Sequence, residues 1–369
     1  MKFVCKQEEL WMAVQTVQNV VATKNTLPIL ANVLLETVDN QVKFVANDLE
    51  VGLRCSMNAE ILKKGSTTVP AKKLSEIVRE LPAGKDVEIN VNDSHQMDIS
   101  YEGGKGKIRL LGLPVDDFPI LPEFKADKSI SLQQKDLKEM ISRISFAVSV
   151  DPTRYVLNGA LLLLDQKKIS LVATDGYRLA MVEKTMEAPA KDKKNVIVPS
   201  KALAELSRLL RDAGEVKVEV LENQILFLVD QLLLTSRLID GQFPNYEQVI
   251  PKKADKKIRV STESLLRTSR RVSVLSAEKG ASIKMEAQKN RLIITASTPE
   301  LGEASEEIAA AYDGEPITVA YNGRYLQDVL KVLNDAETSL ELTEPLNPTL
   351  VRPGGDAASY LCVIMPMRV

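Results

Sequence analysis

The stretch Val172-Ala173-Thr174-Asp175-Gly176-Tyr177-Arg178-Leu179-Ala180 lies between two apolar segments of the chain. It continues the alternating apolar run that begins at Ile169, and the chain becomes apolar again through Met181 and Val182. Asp-Gly between two strand-like segments is typical of a hairpin, because glycine adopts a positive φ without a Cβ clash. We therefore predict two antiparallel strands joined by a turn at Asp175-Gly176.

The first half of this hairpin recurs earlier in the chain. Val42–Asp48 resembles Ile169–Asp175, at an offset of about 127 positions, which is long enough for a repeated domain. Two more landmarks recur in the same order at nearly the same offset: Thr68–Lys72 resembles Ile197–Lys201, and Phe118-Pro119 resembles Phe243-Pro244.

A fainter third copy follows, with Leu292–Ser297 and Ile317–Asn322 at the positions of two strands of the repeat. The Lys-containing stretches 123–128 and 252–257, which directly follow Pro122 and Pro251, are suitable joints between copies. We predict three related domains that span residues 1–125, 126–254 and 255–369.

Each copy contains two segments with apolar residues at helical spacing, which places those residues on one helical face. The first segment of each copy has Leu10, Val14, Val17 and Val21; Leu137, Met140, Ile141 and Ile144; and Leu265, Leu266 and Val272. The second has Leu74, Ile77, Val78 and Leu81; Leu203, Leu206 and Leu210; and Leu326, Val329, Leu330 and Leu333. Segments such as Val87–Val91 and Val216–Val220 alternate, as in antiparallel strands with one exposed face. The predicted fold class is α+β, with two helices packed on antiparallel sheet in each domain.

The composition argues against several classes of protein. Cys5, Cys55 and Cys362 lie far apart in apolar runs, so we interpret them as buried thiols in a reducing compartment. With His95 as the one histidine and no clustered cysteines, we expect no metal site. The start of the chain does not resemble a signal peptide, and no apolar run is long enough to span a membrane.

The net charge is only −2, so binding to a polyanion would depend on how the charges are distributed. The polar faces of the predicted helices carry cations, among them Lys72, Lys201 and Arg271, with acids such as Glu76 and Glu205 interleaved. Solvated amphipathic faces explain this pattern. The alternative is that the repeats place the helices on one surface, where the cations contact phosphates without sequence specificity.

No motif indicates catalysis. Gly103–Lys107 lacks the spacing of a phosphate-binding loop and is better interpreted as a hairpin turn. No GxSxG motif occurs, and His95 lies in a polar loop. Asp48 and Asp175 occupy the same position in two repeats, so turn formation explains them more simply than a pair of catalytic carboxylates. An enzyme that uses these two loops, and a monomeric scaffold that binds peptides, are the alternatives to the function considered next.

Five motifs together resemble the bacterial DNA polymerase III beta subunit family, the replication sliding clamps, along the whole chain. They are Thr26–Leu30, Leu157-Asn158-Gly159, Ala173–Leu179, Asp240-Gly241-Gln242-Phe243-Pro244 and Met365-Pro366-Met367-Arg368. The resemblance implies a head-to-tail homodimeric ring of six similar domains around duplex DNA, with helices lining the hole. It implies a cytoplasmic, non-catalytic processivity factor without a cofactor, opened by an ATP-driven clamp loader. Its implied partners are replicative and translesion polymerases and other proteins that carry a short clamp-binding peptide.

The resemblance also implies one peptide-binding groove per subunit. By matching position, its residues are Arg154, Leu157, Thr174, Gly176, Tyr177, Arg178, Leu179, Pro244, Val249, Asn322, Tyr325, Pro348, Val363, Ile364, Met365, Pro366 and Met367. Tyr177 and Gln248 depart from residues that some relatives have (His and Arg, respectively), which would alter peptide preference. Core packing is the alternative explanation for the Leu and Val residues.

Four residues match basic or aromatic positions at the inner, DNA-facing surface of this family. They are Lys24, Lys72, Tyr155 and Lys201. The resemblance therefore predicts sequence-independent contacts between these side chains and duplex DNA.

Overall fold

The computed structural model describes residues 1–21, 27–186, 192–276, 281–355 and 359–368. The elements of the first repeat are β1 (Lys2–Lys6), α1 (Gln7–Gln18), β2 (Asn32–Val38), β3 (Gln41–Asn47), β4 (Val51–Asn58), β5 (Glu60–Lys63), β6 (Ser66–Pro70), α2 (Ala71–Glu80), β7 (Asp86–Val91), β8 (Gln96–Tyr101) and β9 (Gly106–Leu111). Those of the second are β10 (Ile130–Gln133), α3 (Gln134–Ile144), β11 (Gly159–Asp165), β12 (Lys168–Thr174), β13 (Arg178–Thr185), β14 (Lys194–Pro199), α4 (Ser200–Leu209), β15 (Glu215–Val220), β16 (Gln224–Val229) and β17 (Leu232–Arg237). Those of the third are β18 (Lys256–Ser261), α5 (Thr262–Val272), β19 (Ser282–Gln288), β20 (Arg291–Thr298), β21 (Gly302–Ala311), β22 (Ile317–Asn322), α6 (Gly323–Val332), β23 (Glu337–Leu342), β24 (Thr349–Pro353) and β25 (Tyr360–Ile364).

The three repeats share one order of elements: a strand, a helix, four strands, a helix and three strands. The first repeat differs only by the added strand β5. The prediction of three α+β repeats with two helices each is confirmed.

The strands form three antiparallel sheets within two compact units. Residues 1–135 and 201–238 form one unit, which holds a five-stranded sheet (β5-β1-β7-β8-β9) and an eight-stranded sheet (β10-β15-β16-β17-β4-β3-β2-β6). Residues 136–200 and 239–369 form the other unit, which holds a twelve-stranded sheet (β14-β11-β12-β13-β25-β24-β23-β18-β21-β20-β19-β22). The middle repeat therefore contributes strands to both units.

Two pairings connect successive repeats, and they use equivalent strands. β4 of the first repeat pairs with β17 of the second, and β13 of the second pairs with β25 of the third, both antiparallel. In each case the fourth strand of the common order meets the last strand of the next repeat. This rule determines which strand of the third repeat lies beside the groove.

The predicted apolar faces are buried. Leu10 and Val14 of α1 and Leu137 of α3 are almost fully buried, and Leu326 of α6 is buried in the same way. The helices nevertheless end earlier than the apolar spacing suggests. Leu81, Leu210 and Leu333 are buried although each lies just after the last residue of its helix, and Val21 lies beyond α1 and is half-buried. The apolar spacing reports burial, and burial continues into the turn that follows each helix.

The predicted chemistry of the cysteines agrees with the structure. Cys5, Cys55 and Cys362 are free and buried, and burial raises the pKa of each thiol to about 12. They are therefore protonated and unreactive at neutral pH. Among the described residues, no helix is long and apolar enough to cross a membrane, and no cluster of three potential metal ligands occurs.

Candidate functional site

The hairpin between β12 and β13 has the predicted turn, with Gly176 at a φ of +87°. Asp175 Oδ1 accepts hydrogen bonds from the backbone N–H groups of Tyr177 (2.9 Å) and Arg178 (3.0 Å). Asp48 Oδ1 accepts from the equivalent amides of the first repeat at 3.0 and 2.7 Å. The prediction that both aspartates form turns is confirmed, and these bonds explain their conservation of position between repeats without a catalytic role.

The side chain of Arg178 connects this turn to other segments of the same compact unit. Its Nε donates to Asp175 Oδ2 (3.0 Å), its Nη1 to Asp328 Oδ2 of α6 (2.8 Å), and its Nη2 to the carbonyl of Phe146 (2.5 Å). The guanidinium also lies over the ring of Tyr325, 4.4 Å from its centroid. Because all three donor nitrogens are used and the side chain is only 11% exposed, Arg178 is a structural support of the site rather than a free ligand-binding cation.

Asp328 was not among the predicted site residues. Burial alone would raise the pKa of its carboxyl, but hydrogen bonds from Arg178 and Lys331 outweigh burial and leave the pKa below its ordinary value. The residue therefore stays ionised and holds Arg178 near neutral pH. A usable sequence signal was its position three residues after Tyr325 on one helical face.

An exposed aromatic and cationic surface lies above Arg178. The rings of Tyr177 and Tyr325 stack with centroids 6.3 Å apart. Arg154 donates from Nη1 to the Asp175 carbonyl (2.6 Å) and lies over the Tyr177 ring at 5.5 Å. Tyr177 remains 52% exposed, so this surface is available to a ligand.

The end of the chain forms the opposite wall of the site. β25 pairs with β13, so that Ile364 is opposite Arg178, and beyond the strand the Met365 N–H donates to the Tyr177 carbonyl (2.9 Å). The Met367 N–H donates to the carbonyl of Ala320 (2.8 Å). Residues 363–365 are therefore held against the hairpin by backbone hydrogen bonds, and Met367 is held against β22. The structure thus brings together these two parts of the predicted groove.

The apolar residues of the predicted groove separate into two groups. Leu157, Leu179, Val363 and Ile364 are buried; Leu179 and Val363 belong to one core cluster. Tyr177, Val249 and Met365 are large apolar side chains with substantial exposure. The first group supports the site from below, as core packing would require, and the second can contact a ligand.

The remaining predicted residues lie in the same compact unit but have less direct roles. Asn322 caps α6 through its side-chain oxygen, which accepts from the amides of Arg324 and Tyr325. Thr174 Oγ1 donates to the carbonyl of Arg178 (2.7 Å). Pro244 and Gln248 are exposed, and Pro348, Pro366 and Met367 are half-buried.

The predicted DNA-facing residues have different surroundings. Lys72 is exposed on α2, and Tyr155 is 58% exposed in a short 3₁₀ helix. Lys201 forms an ion pair with Asp48, whose carboxylate thereby neutralises it. Lys24 lies outside the described residues.

Many cations on the helical faces already have acidic partners. The pairs are Lys73 with Glu76, Arg143 with Glu139, Arg208 with Glu205, Arg267 with Glu263, Arg271 with Glu306 and Lys331 with Asp328. These pairs agree with solvated helical faces, and they reduce the positive charge available to a polyanion.

Comparison with known families assigns the whole chain. Family models of the DNA polymerase III beta subunit match residues 1–122 (N-terminal domain), 131–245 (central domain) and 247–368 (C-terminal domain). The chain belongs to the DNA polymerase III beta subunit family. Members of this family with similar sequences include beta sliding clamps of Pseudomonas putida and Caulobacter vibrioides, each 36% identical, with complete coverage of both chains.

Solved structures of beta subunits have the same fold. The chain matches a sliding clamp of Bacillus subtilis with a TM-score of 0.96 at 31% identity, covering 100% of this chain and 99% of that one. It matches a Pseudomonas aeruginosa sliding clamp bound to griselimycin with a TM-score of 0.95 at 35% identity, covering all of both chains. The entire chain therefore has the fold of the beta subunit family.

Proposed function

We propose that this chain is a DNA sliding clamp: two copies form a head-to-tail ring around duplex DNA and tether polymerases to it. The observation that carries the proposal is the match of all three repeats to the beta subunit family in one continuous chain. A tethered polymerase that dissociates from the primer end rebinds from a high effective concentration, so synthesis becomes processive. The clamp itself performs no chemistry, needs no cofactor, and acts in the bacterial cytoplasm.

Strand pairing between repeats supports ring closure. Inside the chain, the fourth strand of each repeat pairs with the last strand of the next one, as β4 does with β17 and β13 with β25. This rule leaves β21 of the third repeat and β9 of the first repeat. Pairing β21 of one copy with β9 of a second copy repeats the same contact twice and closes a ring of six domains.

Exposure and charge of these two strands support the same contact. Along β21, the segment 302–309 pairs with β20 on one side, whereas β18 reaches only residues 310 and 311 on the other. Leu111 at the end of β9 is 66% exposed. β21 carries Glu303, Glu306 and Glu307, and β9 carries Lys107 and Arg109. Glu306 and Glu307 pair with arginines inside the chain, and the two cations share Asp98, so the opposite charge left to the two edges is that of Glu303 and of one excess cation.

The dimer contact can be tested with a matched pair of variants. Leu111→Asp on β9 places a carboxylate in the proposed interface, and we expect it to shift the chain from dimer to monomer in light scattering. Leu62→Asp is the control, since Leu62 is 52% exposed on β5, the other edge of the same sheet. A dimer that survives Leu111→Asp, or that both variants dissociate equally, would contradict this interface.

The site around Tyr177 supports the second part of the proposal, a groove for short peptides of partner proteins. Exposed Tyr177, Val249 and Met365 offer apolar contacts above a rigid, buried base. Methionine adapts its shape, which suits a surface that serves several partners. We include the other matched groove residues and the domain ranges 1–125, 126–254 and 255–369 in this proposal.

The experiment that tests the complete proposal is topological. The clamp is loaded on primed circular DNA with clamp loader and ATP, and the DNA is then linearised. A protein that encircles DNA slides off the linear form, whereas a protein that binds by surface contacts stays. Retention on linear DNA would overturn the proposal.

A further inference from the structure

An open cavity of about 440 Å³ lies in the first repeat, between one face of β2, β3 and β4 and the segment 115–121. Leu34, Val45 and Phe118 give it an apolar lining, and Lys43 and Arg54 add positive charge. Its size falls within the usual range for ligand sites, roughly 300–1,000 Å³. Nothing in the proposed function uses this cavity.

The cavity occupies the position that corresponds to the base of the Tyr177 site in the middle repeat. Strand register shows the correspondence: Leu34 is opposite Val45 as Leu161 is opposite Val172, and Arg54 is opposite Val45 as Met181 is opposite Val172. Three matched positions carry a charged residue in the first repeat and an uncharged one in the middle repeat: Glu36 corresponds to Leu163, Lys43 to Ser170, and Arg54 to Met181.

This difference changes what the two repeats can do. In the middle repeat, Leu163 and Met181 pack on the apolar cluster that contains Leu179. In the first repeat, charged residues occupy the matched positions, and the corresponding space is an open cavity.

The cations of the cavity lack internal partners. Lys43 and Arg54 are half-buried, and among the described parts of the chain their side chains have no ion pair or hydrogen bond. Partial burial of an unpaired charge beside an apolar surface is unfavourable, and a carboxylate from a ligand would offset that cost. The exposed acids Glu36 and Asp116 at the same cavity would repel the row of charges on a phosphate backbone more strongly than a single carboxylate placed beside two cations. This favours a mixed apolar and acidic ligand over nucleic acid.

We propose that this cavity is a second peptide-binding site, which takes a segment of a partner protein with an apolar side chain followed by a carboxylate. The apolar side chain contacts Leu34, Val45 and Phe118, and the carboxylate pairs with Lys43 and Arg54. Ile120 at the cavity is 96% exposed and extends the apolar surface outward, which suits a peptide longer than two residues.

The test compares two probes on the full chain: N-acetyl-Phe-Asp-amide and N-acetyl-Phe-Asn-amide. Methyl NMR signals of Leu34, Val45 and Ile120 report binding at this cavity. We expect the Asp probe to shift these signals at millimolar concentration and the Asn probe to bind about tenfold more weakly, because a charge-assisted contact is lost. Equal binding of the two probes, or no shift of these signals, would overturn the proposal.

Variants provide an independent arm. Lys43→Ser with Arg54→Met installs the residues found at the matched positions of the middle repeat, and we expect it to reduce Asp-probe binding to the level of the Asn probe. Arg79→Met, an exposed cation of α2, is the control and should leave binding unchanged. A duplex oligonucleotide that shifts the same methyl signals as strongly as the Asp probe would also refute a peptide site. Because the readout needs neither DNA loading nor ring closure, its failure is distinguishable from failure of the clamp function.

Discussion

Replacing Arg178 by methionine is expected to loosen the Tyr177 site from below. Methionine retains much of the apolar length of arginine but removes the three hydrogen bonds to Asp175, Asp328 and the Phe146 carbonyl. The cation over the Tyr325 ring is lost as well. Two carboxylates that are 15% and 29% exposed then lack their shared cation.

The magnitude follows from these contacts. Removing one partner of a buried ion pair costs about 3–5 kcal/mol, because the remaining charge stays desolvated. Lys331 still pairs with Asp328 at 2.8 Å, and Asp175 still accepts two backbone amides, so the lower end of this range applies. A loss of about 3 kcal/mol in the local opening free energy corresponds to at least about hundredfold faster amide exchange.

Hydrogen exchange measures this loss at the site itself. The informative amides are those of Tyr177, bonded to Asp175, and Met365, bonded to the Tyr177 carbonyl. Arg291→Met is the control, because Arg291 forms an exposed ion pair with Glu307 and its loss should cost less than about 1 kcal/mol. Exchange at Tyr177 and Met365 that rises less than about tenfold in Arg178→Met would refute the role of Arg178 as a support.

Three further predictions concern other parts of the molecule. Gly176→Ala should weaken peptide binding and lower the free energy of unfolding by about 1 kcal/mol, because φ is +87° and the new Cβ would lie 2.8 Å from Arg154 Nη1. Calorimetry that detects neither change would contradict this. Arg109 and Lys107 hold the pKa of Asp98 at about 2, so the stabilisation by the Asp98 carboxylate is complete above the ordinary pKa of about 3.9 and is lost as the pH falls through 2. In urea unfolding, the difference in unfolding free energy between the unchanged chain and Asp98→Asn should therefore shrink over that interval, and a difference independent of pH would be evidence against it. Lys72→Glu should weaken DNA binding and lower the slope of log affinity against log salt concentration by about one. Lys73→Glu should change both quantities less, because Lys73 already pairs with Glu76. Equal effects of the two variants would argue against a phosphate contact by Lys72.

The turn chemistry was predictable because its causes are local. Asp175-Gly176 supplies both the side-chain acceptor and the positive φ that the turn needs, so neighbouring residues alone specify it. The first repeat achieves the same turn with Leu49 at a φ of +76°, stabilised by the equivalent Asp48 bonds. Glycine is therefore needed at this position less for the turn than for the close approach of the Arg154 side chain, which a Cβ would obstruct.

The repeat was also predictable, because periodicity and offset are properties of the sequence. Alternating and helical spacing report which face of each element is buried, and the faces of α1 and α3 agree with the structure. The same signal does not mark where a helix ends: Leu210 is buried just after the end of α4, because burial continues into the turn that follows.

The three repeats, the two helices in each repeat and the hairpin at Asp175 could all be predicted from residue patterns alone. Three features became visible only in the folded chain: Arg178 meets Asp328 across 150 residues, β25 lies beside β13, and Lys43 and Arg54 share a cavity. The physical reason is that strand edges pair through backbone groups common to all residues, so the sequence of one edge does not specify its partner. Long-range ion pairs and cavities then follow from that pairing, because it places side chains from distant segments on one face.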